Sequence, residues 1–353
     1  MRFDGIQCLR AVAAMLVIWV HLGLAGSRGS DHLQMFKGAA GACGVDVFFV
    51  ISGFVISMSA VRLGFDWRAF LTNRLCRIAP FYWLMSAPLA LGDVFFRHLN
   101  WRALANSITF IPLLDFNVFQ DPIHGCGWTL SFEFWFYSLF AALIAAFGAR
   151  VLVVIAPLLV VLCVIVSFGY RGSWFAPSFL FHPLMLEFAA GILIYNTRRL
   201  LGARSMAIAA ILAIVFGSMV VRTRMFAEHD SVLNTPASGW ERALIWGGFG
   251  AALVIIVVSV DNLHLIRWPR WLIKLGDCSY SIYLIQPYGL LASAVVGRLH
   301  GAGTIFPAAV FAACTILGGI LVSNGIEVPL THWTKQQGVL FTCRIGQKFV
   351  HAL

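Results

Sequence analysis

Ten segments of mostly apolar residues follow one another along the chain, each close to the length of about 20 residues that a transmembrane helix needs. Hydrophobic residues make up 60% of the sequence and charged residues only 11%, which excludes a soluble protein of mixed composition. The sequence therefore predicts an all-α, polytopic transmembrane helix bundle of about ten spanning helices. We place the segments at residues 8–26, 43–61, 75–93, 128–147, 151–169, 180–197, 205–221, 240–260, 277–297 and 304–326.

The connections between these segments are short, and their basic residues indicate an orientation. No connection is large enough for a second domain, so we expect a single transmembrane domain over residues 1–353 with no separate soluble domain. An even number of spans places both termini on one side of the membrane. With the termini in the cytoplasm, the cytoplasmic loops contain more Lys and Arg than the outer loops, as the positive-inside rule requires.

The charge and cysteine patterns argue against two classes of ligand, nucleic acids and metal ions. The net charge of +10 is divided among short loops and forms no continuous basic stripe, so we do not predict nucleic-acid binding. The eight cysteines are scattered without a CxxC pair or histidines at metal-ligand spacing, so we predict no metal site. Cys43 and Cys126 fall near the outer face, which leaves a disulfide between them open.

The first segment, LRAVAAMLVIWVHLG, keeps two ionisable residues in an apolar run. Arg10 and His21 lie on one helix face, roughly 16 Å apart along the axis, so that face addresses two depths of the membrane. Placing an ionisable side chain inside a membrane span costs free energy, so each such residue is a candidate functional residue. Three other interpretations compete: Arg10 extends to the lipid headgroups, His21 makes a structural hydrogen bond between helices, or the segment is a signal peptide.

Acidic and hydroxyl side chains recur in other apolar segments. Glu133, in GWTLSFEFWFY, falls at roughly the depth of His21, and a carboxylate beside a histidine fixes the tautomer that a general base needs. A carboxylate that only holds helices together is the competing interpretation. Asp46 and Ser52, in GVDVFFVISGF, are also embedded, and Glu187 is a further acid within a span.

Two further patterns point to ligand contacts. Arg74 and Arg77, in NRLCRIAPFYW, are three residues apart and share a helix face, which suits a phosphorylated ligand, although an ordinary positive-inside pair has the same spacing. Ser279, Tyr283 and Gln286, in CSYSIYLIQPY, line one polar face of the ninth segment. Cations at the cytoplasmic face and a His and a Glu in the outer half together predict group transfer across a membrane.

The order and spacing of these segments resemble acyltransferase family 3, membrane proteins that acylate exported carbohydrates. The resemblance covers nearly the whole chain and rests on LRAVAAMLVIWVHL, GVDVFFVISGFVI, RLCRIAPFYW, GWTLSFEFWFY, EFAAGILIY and GDCSYSIYLIQPY. It implies a bacterial inner-membrane enzyme that uses acyl coenzyme A, most often acetyl-CoA, as a co-substrate and holds no permanent cofactor. The implied partners are the acyl-CoA donor, a carbohydrate or lipid-linked glycan acceptor, and the lipid bilayer.

The resemblance also implies roles for individual residues. His21 matches the catalytic histidine, Arg10 its partner in the first segment, and Glu133 the acidic position of the fourth segment. Arg74 and Arg77 match the paired arginines thought to meet the donor. We assign Tyr82 and Trp83, which follow those arginines, to the same acyl-CoA site, and a supporting polar set to Asp46, Ser52, Ser131, Ser279, Tyr280, Tyr283, Gln286 and Glu187.

Two mechanisms and one other function stay open at this point. His21 either removes a proton from the acceptor hydroxyl or forms an acyl-histidine intermediate. Relatives commonly have a histidine at the position of Gln286, so the acceptor is expected to differ here. The alternative function is a proton-coupled transporter or flippase, against which the sequence shows no inverted repeat.

Overall fold

The computed structural model describes residues 3–26, 39–96, 98–112, 119–170, 175–222, 236–300 and 305–337. Helices dominate these residues, and the described part of the chain contains no β-strand. In chain order the α-helices are α1 Asp4–Gly26, α2 Cys43–Arg62, α3 Trp67–Phe96, α4 Trp101–Thr109, α5 Trp128–Phe147, α6 Val151–Val164, α7 Phe175–Leu180, α8 Met185–Thr197, α9 Ala203–Arg222, α10 Pro236–Asn262, α11 Arg270–Asp277, α12 Ser279–His300 and α13 Ile305–Val322. A π-helical turn, Ser323–Glu327, follows α13, and the helical stretch continues to Gln337.

The long helices confirm the predicted all-α polytopic bundle. Nine helical stretches of the described residues are long and apolar enough to cross a membrane. One of them, Gly125–Gly169, is 45 residues long and contains both α5 and α6. The two helices are separated at Gly148, whose φ of 55° ends α5 in a conformation that glycine adopts without strain. Counting them separately gives the ten predicted segments, while the orientation of the termini stays a prediction.

A short helix lies in the long connection after α3, where the apolar stretch is too short to span a membrane. Asn100 caps α4 by accepting hydrogen bonds from the backbone N–H groups of Arg102 and Ala103, at 3.0 and 3.2 Å. Phe110 ends the helix in a left-handed conformation, with a φ of 60°. The connection then returns to the bundle through His124 and the start of α5.

Small residues let the central helices touch at their backbones. A Cβ atom on Gly53 of α2 would lie 2.0 Å from the carbonyl oxygen of Phe188 in α8, and one on Gly191 would lie 2.0 Å from that of Val50. Gly44 makes a similar approach to Ala13 of α1, which builds the first helix into the bundle. Membrane helices use small residues in this way because apolar burial does not drive their association in lipid.

The two cysteines for which the sequence left a disulfide open are not bridged. Cys43 and Cys126 are free thiols and both are buried. Cys43 packs with Trp246 on one side of α2, whereas Cys126 belongs to the aromatic core around α5. Each thiol is therefore an apolar filler in a separate cluster, and the structure excludes the disulfide that the sequence left open.

Candidate active site

A cavity of about 110 Å³ lies between α1, α2, α3, α5 and α12. Three guanidinium groups and one carboxylate reach it, a charge excess that apolar spans do not tolerate without a functional reason. Its polar lining consists of Arg10, Ser52, Arg74, Arg77, Thr129, Glu133, Tyr137, Ser279, Tyr280 and Tyr283. The structure thus brings Arg10, both arginines of α3 and Glu133 together from three helices, α1, α3 and α5.

The Glu133 carboxylate is held by two hydroxyl donors. Ser52 donates to one carboxylate oxygen at 2.7 Å, and Tyr137, one helical turn further along α5, donates to the other at 3.1 Å. The carboxylate is therefore oriented within the cavity by α2 and by its own helix. Its hydrogen bonds go to these hydroxyls and not to His21.

Arg74 of α3 presents an unused donor to the cavity. Arg74 is buried, and its guanidinium lies over the rings of Phe70 and Tyr137, with the charged carbon 5.8 and 5.9 Å from the ring centroids. Its Nε has no hydrogen-bond partner among the described residues. A buried donor left unsatisfied is costly, so an anion in the cavity would stabilise this arrangement. Arg10 donates a hydrogen bond to the side-chain oxygen of Gln7 at 3.1 Å and is the third arginine that lines the cavity.

His21 lies further along α1, outside the lining of this cavity. Its Nδ1 is 3.0 Å from the carbonyl oxygen of Val17. A carbonyl only accepts, so Nδ1 carries the proton and Nε2 of the neutral ring keeps its lone pair. The ring packs against Phe311, with centroids 6.5 Å apart. This arrangement leaves Nε2 as the basic atom of the side chain.

The predicted polar face of α12 connects the cavity with His21. Ser279 and Tyr283 line the cavity, and Gln286 follows Tyr283 by almost one helical turn. Gln286 is fully buried beside His21, and neither of its amide atoms makes a hydrogen bond with a described residue. Tyr283 itself donates to the carbonyl oxygen of Cys126 at 3.1 Å. The buried Gln286 amide and the half-buried His21 ring therefore adjoin each other beyond the cavity.

Asp46 belongs to a different buried cluster, whose cation the sequence analysis did not identify. Arg242 of α10 donates to both Asp46 carboxylate oxygens, at 2.8 and 2.9 Å, and both side chains are almost fully buried. The Arg242 guanidinium also lies 4.8 Å from the Trp246 ring centroid, and Glu187 lies beside the pair with both carboxylate oxygens unpartnered among the described residues. The pair joins α2 to α10, so the cation of Asp46 comes from α10. The sequence contained one signal for this pair, namely a carboxylate in one apolar span and an arginine in another.

Three further predicted residues lie outside the cavity. Trp83 is partly exposed and donates through its indole N–H to the carbonyl oxygen of Ile108, at 3.2 Å. Tyr82 is buried against Gly127, and Ser131 donates to Asn106 at 3.3 Å. On an ideal helix Trp83 is rotated by about 240° from Arg77, so it cannot share that residue's face. Tyr137 and Thr129 line the cavity instead and were missed, although Tyr137 follows Glu133 at helical spacing.

A histidine at the start of the α5 region ties the long connection to α12. The His124 Nε2–H donates to the carbonyl oxygen of Leu284 at 2.8 Å, and the side chain is fully buried. Burial lowers the pKa of His124 to about 4, because the charged ring would lose its hydration. At neutral pH this ring is therefore neutral and serves as a fixed donor.

Comparison with known proteins agrees with this arrangement. Residues 3–324 match the family model described as an acyltransferase domain. The exopolysaccharide production protein ExoZ of Rhizobium meliloti (strain 1021) is 30% identical over 297 residues, which cover 80% of this chain and 86% of that protein. An O-acetyl transferase of Shigella phage Sf6 is 29% identical over 180 residues, 46% of this chain and 51% of the phage protein. No solved structure matches the chain.

The family match extends from the first described residue of α1 into the π-helical turn after α13, so it includes every helix that contributes to the cavity. The charged cavity, the half-buried His21 ring and the multi-pass bundle are thus parts of one matched region. The chain belongs to the acyltransferase family 3 and is a multi-pass membrane acyltransferase.

Proposed function

We propose that the protein is an O-acyltransferase of the bacterial inner membrane that transfers an acyl group, most commonly acetyl, from cytoplasmic acyl-CoA to a hydroxyl of an exported or lipid-linked carbohydrate. The names of the relatives support the acceptor class, since one is an exopolysaccharide production protein and the other an O-acetyl transferase. The observation that carries the proposal is the cavity itself, in which three arginines and a glutamate meet inside an apolar bundle.

The positive charge of the cavity matches the negative charge of an acyl-CoA donor. Arg10, Arg74 and Arg77 supply donors in the fork geometry that binds phosphate, and the excess of positive charge favours an anionic ligand. The pantetheine arm of the donor then runs through the cavity between α2, α5 and α12 and carries the thioester towards His21. Ser52, Tyr137 and Glu133 form a hydrogen-bonded group there that holds the carboxylate in one orientation and gives this arm a polar wall.

His21 acts as the general base. Its Nδ1–H is held by the Val17 carbonyl, so Nε2 takes the proton from the acceptor hydroxyl as that oxygen attacks the thioester carbonyl. The C–S bond of the resulting tetrahedral species breaks, and the departing thiolate takes up a proton to give free coenzyme A. Direct attack by Nε2 on the thioester, through an acyl-histidine, is the other route open to the same atom.

Gln286 assists the acceptor side. Its buried amide adjoins the His21 ring, so it can hydrogen-bond a sugar hydroxyl presented to that base. The acceptor thus meets His21 and Gln286 at one depth, while Arg10 binds the donor about 16 Å away along α1.

The deciding experiment uses radiolabelled acetyl-CoA and membranes that contain the protein. We expect label in the saccharide fraction with the wild type, none with His21→Ala, and wild-type transfer with His98→Ala, a matched control at an exposed histidine. Label trapped on the protein at His21 would distinguish the acyl-histidine route from direct transfer. If the wild type labels no saccharide but moves a solute across vesicles, the protein is a transporter and the proposal is wrong.

A further inference from the structure

The size of the cavity limits how much of the donor it can enclose. Its volume is about 110 Å³, whereas pockets that enclose a whole drug-sized ligand have volumes of at least about 300 Å³. Coenzyme A consists of a pantetheine arm that ends in the thiol and a phosphorylated adenine nucleotide with several negative charges. The cavity therefore admits part of the pantetheine arm, and the nucleotide stays at the mouth.

A lysine near the other end of the chain lies close to the arginines of α3. The helical stretch that includes α13 reaches back to α3, where the Thr334 hydroxyl donates to the carbonyl oxygen of Cys76 at 2.8 Å. Cys76 directly precedes Arg77, and Lys335 directly follows Thr334. Lys335 is half-buried and lies within electrostatic range of both Arg74 and Arg77. The hydrogen bond thus fixes a third cation beside the arginine pair.

Cations held this close together repel each other unless an anion lies between them. Glu133 is the only carboxylate that lines the cavity in the part of the chain that the structure describes, and it faces Ser52 and Tyr137. Arg10 adds a further positive charge near Arg77. A polyanionic group at the mouth would offset this repulsion, and a nucleotide carrying several phosphates has the charge to do so.

We infer that Lys335 binds a phosphate of the donor's nucleotide, so that the end of the last helical stretch and the arginines of α3 form one nucleotide site. The inference rests on the proposed function for the identity of the donor. It adds a residue that no sequence motif indicated, because Lys335 is about 260 residues from Arg74 in the chain and is brought there by the Thr334 contact. Lys335 contributes to binding and takes no part in the chemical step.

The test measures binding of coenzyme A and of pantetheine, which lacks the nucleotide, to the full chain in nanodiscs of zwitterionic phosphatidylcholine. We expect Lys335→Ala to raise the Kd of coenzyme A about tenfold, the loss typical of one charge-assisted hydrogen bond, and to leave the Kd of pantetheine unchanged. Lys335→Arg should restore most of the affinity. Lys274→Ala, which removes an exposed lysine of α11, is the matched control and should change neither constant.

Several outcomes would overturn the inference. They are an equal rise in both dissociation constants, no change for coenzyme A, or a wild type that binds no coenzyme A. If Lys335→Ala instead weakens only the recruitment of phosphatidylglycerol in mixed nanodiscs, the lysine serves a lipid headgroup and the inference fails as well. Binding that depends on Lys335 without any acetyl transfer would contradict the proposed reaction and support the nucleotide site, so the two proposals fail separately.

Discussion

At the scale of single residues, the molecule separates a structural charge cluster from a functional one. Asp46 and Arg242 satisfy each other through two hydrogen bonds, and neither lines the cavity. Arg74 and Arg77 line the cavity, and the buried Nε of Arg74 has no partner among the described residues. The Asp46–Arg242 pair therefore joins two helices, whereas an anionic ligand in the cavity would satisfy the Arg74 Nε.

The structural pair predicts an asymmetric response to mutation. We expect Arg242→Met to destabilise the protein by about 3–5 kcal/mol, because it leaves the Asp46 carboxylate buried without its cation and beside a second acid, Glu187. Asp46→Leu should cost less, since Glu187 can take over the arginine. The measurement is thermal unfolding in detergent, and the double variant should be more stable than Arg242→Met alone. Equal losses for the two single variants would contradict this account.

His124 predicts a pH dependence of stability. Its pKa is about 4 in the folded protein, against 6.5 for an ordinary histidine, so above pH 6.5 the ring is neutral in both states. Between pH 6.5 and 4 the unfolded chain binds a proton that the folded protein does not, and the free energy of unfolding falls by up to about 3 kcal/mol. His124→Gln keeps a donor for Leu284 and should lose this part of the pH dependence in melting curves. A variant that melts with the same pH profile as the wild type would show that other groups cause it.

At the scale of helices, close backbone contact joins α2 to α8 beside the stacked rings of Phe49 and Phe188. Gly53→Ala would place a methyl group against the Phe188 carbonyl oxygen, so we expect the helices to separate and the yield of folded protein to fall sharply. Gly92→Ala in α3 is the matched control, since nothing lies within 4 Å of its Cβ position, and it should express like the wild type. Size-exclusion chromatography of the detergent-solubilised variants measures both. Normal expression of Gly53→Ala would mean that α2 and α8 can move apart freely.

The transmembrane helices could be predicted from the sequence because each of them contains a long run of apolar residues. The run at 151–169 was located correctly, although its last five residues form a π-helical turn, Ile165–Gly169. The start of α3 was placed at residue 75, whereas the helix begins at Trp67, because Arg68 and Arg74 interrupt the apolar pattern without interrupting the helix. An apolar run shows which residues lie in the membrane. It does not show where the backbone hydrogen bonds of the helix begin and end.

At the scale of the whole molecule, only some residues of the candidate site could be predicted from the sequence. Arg10, Glu133 and Ser279 could be selected because each is polar in an apolar segment, and the structure brings all three to one cavity. Tyr82 and Trp83 were selected by their nearness to Arg77 in the chain, and helix rotation takes them elsewhere. The partnership of Asp46 with Arg242 spans 196 residues, so it depends on tertiary packing that no local pattern encodes.

The orientation of the whole bundle is a separate prediction from the loop charges. With both termini in the cytoplasm, green fluorescent protein fused after Leu353 should fluoresce, and alkaline phosphatase fused there should be inactive. Alkaline phosphatase fused after Asn100, in the connection that we place outside, should be active. The opposite pattern would invert the bundle and put the arginine pair on the wrong side for a cytoplasmic donor.

The glycine contacts between α2 and α8 have a consequence for genetic screens. In a saturation-mutagenesis library selected for acylated product, we expect Gly53 and Gly191 to reject every substitution, as we also expect of His21. A tolerance map alone would therefore rank them with the reacting residues, although neither lines the cavity. Sorting the library first for protein abundance would separate the two kinds of intolerance, because the glycine variants would disappear at that step and the histidine variants would not.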